Sequence, residues 1–243
     1  MASVGGVTGL ASLPKEVVVT SGRGVHGPQV SEMAILMMLS LSRGLPRMLR
    51  NQTSAVWQRF PQRRIYGKTV AILGVGIIGT DLAARCKAFG MRVIGVTRTP
   101  RELPDFDRLL KFEELDRAAA EADFLVVITP YSAQTHKIVN DKVLRAMKPG
   151  ACLINVARGG VCDEDAVLAA LRENRIAGAA LDVFVTEPLR PDHPFWRDER
   201  VIVTPHMSGG SDFSPALLTP MIESNIRCFL EGRMQDMINI VPR

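Results

Sequence analysis

The chain has 243 residues, of which 47% are hydrophobic and 23% charged, a balance typical of a globular protein with a buried core. The net charge of +5 does not by itself indicate nucleic-acid binding, because the basic residues are scattered and aromatic residues make up only 5% of the chain. No apolar stretch approaches the roughly 20 residues that span a bilayer, so we expect neither a nucleic-acid nor a membrane partner.

The first quarter of the chain predicts one buried helix and connecting structure. A glycine-rich leader over residues 1–12 precedes an apolar run at 17–19, which predicts a short buried strand. Apolar residues dominate 30–41 and predict a helix that is buried on most sides, with Ser31 as its cap. Residues 45–66 mix proline, arginine and glutamine and predict irregular connecting structure.

The remainder of the chain alternates apolar strands with helices. Predicted strands cover residues 69–73, 92–96, 124–128, 151–156, 177–181 and 201–203. Predicted helices cover residues 77–89, 112–121, 141–147, 163–173 and 211–231, with Asp163 as the N-cap of the fourth. Continuous apolar strands that alternate with helices indicate a parallel sheet with both faces covered. We therefore predict an α/β fold built on a doubly wound, Rossmann-type parallel sheet.

The four cysteines are widely spaced and form no C-x-x-C motif. Cys86 and Cys152 fall within apolar or helical patterns, so we expect both in the core. This usage predicts a reducing, cytoplasmic location without disulfides or a metal site. No basic segment precedes an apolar run at the N-terminus, and we expect no signal peptide.

A glycine motif between the first strand of the sheet and its helix predicts a dinucleotide site. The sequence Gly74-Val75-Gly76-Ile77-Ile78-Gly79 has the spacing G-x-G-x-x-G, which carries that meaning when a strand precedes it and a helix follows. The first glycine allows a sharp turn, the second lets backbone approach a pyrophosphate, and the third lets helix and strand pack closely. The helix N-terminus then presents free N–H groups to the phosphates.

The end of the next strand predicts which dinucleotide binds. An acid at this point accepts hydrogen bonds from the ribose 2′-hydroxyl and selects NAD. Here the strand ends at Thr97-Arg98-Thr99 without an acid. Arg98 can pair with a 2′-phosphate, and the two threonines can donate their hydroxyls. We therefore predict NADP as the cofactor and NAD as the second choice, the alternative being a solvated surface arginine.

Three polar side chains follow later strands. Arg158, Glu187 and His206 each come shortly after a predicted strand, where ligands of open α/β sheets bind. Taken singly, each is compatible with a surface charge or a satisfied core histidine. Together they suit reduction of a 2-oxo acid, because arginine can hold the substrate carboxylate and histidine can exchange a proton with the carbonyl oxygen. Glutamate beside that histidine would orient the ring and stabilise the imidazolium.

Four segments give the chain a resemblance to a known family. They are the glycine motif, residues 153–160, residues 180–184 with Glu187-Pro188, and Thr204-Pro205-His206. On these motifs the chain resembles the D-isomer-specific 2-hydroxyacid dehydrogenases, and its Thr97-Arg98 ending is similar to the NADP-using glyoxylate/hydroxypyruvate reductase branch. The resemblance implies Arg158, Glu187 and His206 as the catalytic set of an oxidoreductase that acts on a small 2-oxo acid.

The same resemblance implies further site residues and a partner. Cofactor contacts are implied at Asp182, Thr129-Pro130 and Val156-Ala157, and the substrate carboxylate would be held by backbone N–H groups at Val4 and Gly5 together with Arg158 and His206. A homodimer is implied through residues 30–41 and 45–66. The full predicted cofactor set is Gly74, Gly76, Ile77, Ile78, Gly79, Thr97, Arg98, Thr99, Thr129, Pro130, Val156, Ala157, Arg158, Asp182 and His206.

Domain organisation departs from the family pattern at the N-terminus. Family members begin with a flavodoxin-like substrate domain that the chain re-enters at its C-terminal end, whereas Met1 here falls directly before the Val4-Gly5 loop. We therefore expect a remnant of that domain at 1–22, a complete dinucleotide-binding domain at 23–207 and the return at 208–243. The short N-terminus leaves an alternative function open, namely a non-catalytic NADP(H)-binding dimerisation or corepressor-like module.

Overall fold

The computed structural model describes residues 12–212 and 214–241, and a seven-stranded parallel sheet forms its centre. The strands are β1 (Thr69–Leu73), β2 (Arg92–Thr97), β3 (Arg108–Lys111), β4 (Phe124–Val127), β5 (Cys152–Asn155), β6 (Gly178–Leu181) and β7 (Val201–Val203). Their order across the sheet is β3-β2-β1-β4-β5-β6-β7, which is the doubly wound dinucleotide-binding order with one strand added. The predicted fold class is confirmed.

Helices cover both faces of this sheet. The α-helices of the described residues are α1 (Gly27–Arg43), α2 (Leu45–Thr53), α3 (Ile77–Ala88), α4 (Leu115–Glu121), α5 (Asp141–Ala146), α6 (Glu164–Arg172) and α7 (Ser214–Leu230). Successive side chains of a strand point to opposite faces, so Ala71 and Leu73 belong to the apolar cluster that holds α4, α5 and α6. Val70 and Ile72 belong to the cluster formed with α1 and α3. This two-sided burial explains why residues 70–73 of β1 are all apolar.

Two predicted segments differ in the structure. Residues 17–19 form no strand and are not buried as predicted, since Val17 is exposed and the segment pairs with the C-terminal end only around an isolated antiparallel bridge between Thr20 and Ile240. Residues 45–66 are not wholly irregular, because α2 occupies the first part of them. Pro46 misled the prediction: it lies in the first turn of α2, where a missing N–H costs no hydrogen bond.

Strand β3 is missing from the sequence prediction. It contributes only Leu109 and Leu110 between two basic residues, and it pairs with β2 alone at one edge of the sheet. An edge strand this short carries too few apolar residues to show a clear pattern.

One of the two predicted caps is corrected, and the position of the other is confirmed. Ser31 lies inside α1, where its hydroxyl donates to the carbonyl of Gly27 at 2.8 Å, and the N-cap is His26. Asp163 does occupy the N-cap position of α6, but its side chain makes no capping hydrogen bond and pairs with Lys137 at 3.3 Å instead.

The two ends of the described chain meet beside the sheet. The N–H of Val241 donates to the carbonyl of Val19 at 2.8 Å, and the N–H of Ser21 donates to that of Asn239 at 3.0 Å. The buried side chain of Asn225, in α7, bonds both backbone groups of Ile238. These contacts fix the position of the C-terminal segment relative to residues 19–21 and to α7. The predicted domain boundaries after residues 22 and 207 stay predictions.

Cys86 and Cys152 are buried, as predicted, and so are Cys162 and Cys228. Burial raises the pKa of the Cys86 thiol to about 12 and that of Cys152 to about 11. Within the described ranges, no helix combines the length and apolar character needed to cross a membrane. The same residues contain no group of three or more His, Cys, Asp or Glu side chains placed to hold a metal ion.

The carboxylate of Asp107 gives the sheet a pH-dependent contact. It accepts the N–H of Val93 at 2.7 Å and the ammonium of Lys87 at 2.9 and 3.0 Å. The Val93 bond and then the Lys87 contacts hold the pKa of Asp107 below its usual range. A lowered folded-state pKa contributes stability above the unfolded value, and that contribution disappears as pH falls through the folded value.

We therefore predict that Asp107→Asn lowers the free energy of unfolding at neutral pH by about 1 kcal/mol, a modest figure because solvent screens the pair. The gap between parent and variant should close as the pH drops from about 5 towards 3, measured by urea denaturation at each pH. Glu113→Gln removes the same charge at an exposed acid and serves as the control. A gap that stays constant with pH would show that the carboxylate's charge is irrelevant.

Candidate functional site

A cavity of about 1110 Å³ opens at the carboxyl ends of the strands. Its walls come from the turn after β1 and from the segments that follow β2, β4, β5, β6 and β7. Residues 21–30 and 239–241 complete the rim. Parallel strands present their carboxyl ends at one edge, where open α/β sheets bind ligands, so residues distant in sequence meet here.

The three glycines of the turn after β1 differ in whether the protein itself requires them. Gly74 has φ +113°, and a Cβ there would lie 2.7 Å from the backbone nitrogen of Thr129. A Cβ on Gly79 would collide with the carbonyl oxygen of Gly74. Gly76 has an ordinary φ of −105°, and a Cβ on it would meet no protein atom within 4 Å. The protein itself therefore does not require glycine at 76, whereas a ligand lying against the turn does.

The start of α3 suits an anionic ligand. Gly76 is the N-cap and offers no side chain to the first-turn N–H groups, and that turn contains no acid. Unsatisfied N–H groups at a helix N-terminus bind phosphate groups, so the residues present fit the pyrophosphate of a dinucleotide. Ile77, Ile78 and Gly79 line the cavity at this point.

The end of β2 contributes Thr97 and Arg98 to the cavity lining. The Arg98 guanidinium donates to the side-chain oxygen of Gln134 at 3.4 Å and has no acidic partner within the described residues. Thr99, by contrast, is exposed and does not line the cavity. The structure therefore does not bring Thr99 together with the other predicted cofactor residues.

His206 is held in a fixed orientation beside the cavity. Its Nδ1 lies 2.7 Å from a carboxylate oxygen of Glu187, whose other oxygen accepts the N–H of Phe184 at 2.9 Å. The backbone of His206 has φ +51° and is anchored where its N–H donates to the carbonyl of Asp182 at 2.8 Å. With Nδ1 bonded to the carboxylate, Nε2 is the ring nitrogen left to exchange a proton.

The carboxylate of Asp182 ties together the loops that follow β6 and β7. It is 1% exposed and accepts the hydroxyl of Thr204 at 2.5 Å and the N–H groups of Met207 and Ser208 at 3.0 and 2.9 Å. Three donors satisfy a buried carboxylate, so its charge is tolerated here. Because these bonds surround His206, Asp182 positions that side chain as well as lining the cavity.

Arg158 lies three residues after the end of β5, on a turn held by the buried side chain of Asn155. The Asn155 amide donates to the carbonyl of Arg158 at 3.2 Å and accepts the N–H of Ala157 at 3.1 Å. The Arg158 guanidinium donates to the carbonyl of Ala157 at 2.6 Å and has no carboxylate partner within the described residues. Its planar donor face is therefore available to an anionic ligand.

Most of the predicted site residues come together in this cavity. Those that line it are Gly74, Gly76, Ile77, Ile78, Gly79, Thr97, Arg98, Thr129, Pro130, Val156, Ala157, Arg158, Asp182 and His206. Glu187 does not line it and reaches it through His206. Val4 and Gly5 lie outside the described residues.

Sequence reasoning missed several residues of the cavity wall. His26, the N-cap of α1, has its Nδ1 2.9 Å from the carbonyl oxygen of Gly209. Ser208 is 3% exposed, and its hydroxyl has no partner within the described residues. A buried hydroxyl without a partner is costly, so this one fits a ligand polar group such as the cofactor carboxamide. The only sequence signal was the position of Ser208 two residues after His206.

Comparison with known proteins gives a consistent result. The model of the family "D-isomer specific 2-hydroxyacid dehydrogenase, NAD binding domain" matches residues 35–208. A glyoxylate reductase from Pyrococcus horikoshii is 32% identical over 227 residues, covering 90% of this chain and 68% of its own length. A D-3-phosphoglycerate dehydrogenase from Methanocaldococcus jannaschii is 30% identical over 96% of this chain, which spans 45% of that protein.

A solved structure shares the fold almost completely. The D-isomer-specific 2-hydroxyacid dehydrogenase from Xanthobacter autotrophicus Py2, in complex with NADPH and MES, superposes with a TM-score of 0.86 at 32% identity. The match covers 99% of this chain and 98% of that one. The similarity therefore extends beyond the sheet to the segments on either side of it.

The glycine turn provides a sharp test of the site. We predict that Gly76→Ala leaves the thermal midpoint of the unliganded protein within about 2 °C of the parent, because the new methyl group meets no protein atom. The same methyl group should weaken dinucleotide binding at least about tenfold, measured by nucleotide fluorescence titration. Gly74→Ala is the contrasting variant and should cost about 2 kcal/mol or more of folding stability. Unchanged nucleotide binding by Gly76→Ala would rule out the turn as the pyrophosphate site.

Proposed function

The chain belongs to the D-isomer-specific 2-hydroxyacid dehydrogenase family, and on that premise we propose that it transfers a hydride between a nicotinamide dinucleotide and a small 2-oxo or 2-hydroxy acid. Glyoxylate and hydroxypyruvate are the proposed type of substrate. The observation that carries the proposal is the 2.7 Å contact between His206 Nδ1 and Glu187, at the wall of a cavity shared with Arg158 and the glycine turn.

Each of the three residues has a distinct role in this proposal. Arg158 binds the substrate carboxylate through its planar guanidinium and orients the adjacent carbonyl group. The His206 Nε2–H donates its proton to the carbonyl oxygen, which becomes the hydroxyl of the product. Glu187 fixes the ring by its bond to Nδ1 and stabilises the imidazolium form before the proton is given up. A bound nicotinamide cofactor supplies the hydride that the carbonyl carbon receives.

We propose NADP as the cofactor and NAD as the second choice. Arg98 stands at the end of β2 with a neutral amide as its partner, and Asp182 is the one acid among the described residues that line the cavity. That acid is engaged by Thr204, Met207 and Ser208. A guanidinium without a carboxylate partner attracts a 2′-phosphate, and the similar Xanthobacter protein was crystallised with NADPH.

The proposed binding site for the substrate includes residues near the N-terminus. We propose that backbone N–H groups at Val4 and Gly5 complete the carboxylate site, and that residues 1–22 and 208–243 belong to a substrate domain separate from residues 23–207. The pairing of Ser21 with Asn239 at the cavity rim supports this division, because it joins the two proposed parts of that domain.

We also propose a homodimer formed through α1, α2 and the segment that follows them. Several large apolar side chains of this region face solvent: Leu36, Leu45, Leu49, Val56 and Trp57. Trp57 is 96% exposed, and an exposed apolar patch of this kind marks a protein–protein contact. Two copies of one patch form a self-complementary interface in a twofold dimer.

Turnover and binding measured together test the proposed activity. We expect the parent protein to oxidise NADPH in the presence of glyoxylate. His206→Asn should lower kcat by a factor of about 10² to 10⁴, because the proton donor is removed. NADPH binding by fluorescence should be nearly unchanged in that variant. A parent protein that binds NADPH without turning over any 2-oxo acid would instead favour the non-catalytic module.

The dimer is tested by its exposed leucines. We predict that Leu36→Glu together with Leu49→Glu converts the protein from a dimer to a monomer, because burying two carboxylates without partners is strongly unfavourable. Sedimentation velocity at micromolar concentration measures the change. Leu217→Glu places the same charge on an exposed leucine of α7 and is the control. A monomeric parent protein would contradict the proposal directly.

A further inference from the structure

Two side chains approach each other across the cavity above the glycine turn. Strands β2 and β4 lie on either side of β1, so the segments that follow them flank the turn that β1 leads into. Arg98 extends from the first segment and Gln134 from the second, with 3.4 Å between the guanidinium nitrogen and the amide oxygen. Both side chains line the cavity.

The position of Gln134 is set by its buried neighbour. The Thr135 hydroxyl is bonded to the carbonyl of Pro130 at 2.7 Å and to the N–H of Ser132 at 2.8 Å. Thr135 is 3% exposed, and its own N–H donates to the carbonyl of Ser132 at 3.1 Å. These bonds close the segment after β4 into a defined turn, so Gln134 is presented at the cavity rim from a rigid base.

The chemistry of the pair leaves donors for an anion. A guanidinium has only donors, so the Gln134 oxygen must face Arg98, and its NH₂ group remains available. Arg98 also retains donors beyond the one used in this contact. The two walls thus offer N–H donors and one full positive charge without any carboxylate. A phosphate dianion placed beside this pair would receive hydrogen bonds from both side chains.

We propose that Gln134 is a second residue that recognises the 2′-phosphate of NADP(H), acting opposite Arg98. The proposal rests on the proposed cofactor and adds a discriminating residue on the β4 side of the cavity. Gln134 holds the guanidinium in place through its oxygen and donates to the phosphate through its nitrogen. NADH lacks the phosphate and gains nothing from either contact.

Replacement of Gln134 by glutamate separates this role from a merely structural one. Gln134→Glu keeps the size of the side chain, but it pairs with Arg98 and repels a phosphate. We expect the dissociation constant of NADPH to rise at least about tenfold while that of NADH stays within about twofold. Gln134→Ala removes the donor without adding charge and should raise the NADPH constant about two- to fivefold.

A control variant makes the same change, from an amide to an acid beside an arginine, at a place outside the cavity. Asn174 accepts a hydrogen bond from the Arg200 guanidinium at 2.8 Å, away from the cavity and from the proposed dimer segment, so Asn174→Asp makes the same amide-to-acid change in a surface pair. That variant should leave both constants unchanged. The measurement is fluorescence titration of each purified protein with NADPH and NADH, supported by 2′,5′-ADP and 5′-AMP as competitors that differ in the 2′-phosphate.

The outcomes separate the cofactor assignment from the role of Gln134. A parent protein that binds NADH more tightly than NADPH contradicts the proposed cofactor. A parent that prefers NADPH, with a Gln134→Glu variant that keeps the same preference, overturns the role of Gln134 alone. Equal weakening of NADPH and NADH in that variant also overturns it, because the loss would then not depend on the 2′-phosphate.

Discussion

The carboxylate of Asp182 is the contact on which the site depends most. It is buried at the end of β6 and gathers the hydroxyl of Thr204 and the N–H groups of Met207 and Ser208 from the turn after β7. His206 lies inside that turn with a left-handed backbone, a conformation that costs free energy unless its surroundings enforce it. One charged side chain thus fixes the loop, and the loop fixes the direction of the imidazole. The bond from Nδ1 to Glu187 then leaves a single ring nitrogen for chemistry.

The sequence was sufficient to predict six of the seven strands and most of the cavity because buried parallel strands leave a strong signal. Four consecutive apolar residues and a buried threonine in β1 reflect burial on both faces, and Gly74 and Gly79 reflect steric limits that no other residue meets. Side chains placed directly after such strands must lie at one edge. The positions of Arg98, Arg158 and His206 in the cavity lining follow from this geometry rather than from their own neighbours in sequence.

What the sequence could not predict depends on contacts between distant residues or on weak local patterns. Strand β3 has only two apolar residues, which is too few for a clear pattern. Pro46 suggests a helix break in sequence, but it lies in the first turn of α2, where proline is tolerated. Ser208 and Gln134 are ordinary polar residues in sequence, and only the closed turns around them give them a place in the cavity. Thr99 stays a prediction, since it is exposed and does not line the cavity, whereas the neighbouring Arg98 does.

The backbone pairing of residues 19–21 with 239–241 closes a stretch of chain that contains every strand of the sheet and most of the cavity lining. Closing so long a loop costs conformational entropy, which the hydrogen bonds at the junction help to offset. Ser21 and Asn239 also line the cavity, so a ligand that fills it contacts both sides of the junction at once. Ligand occupancy and closure of the chain are therefore thermodynamically linked, and each strengthens the other. Amide hydrogen exchange at this junction thus reports on whether the cavity is filled, although the junction lies outside the sheet.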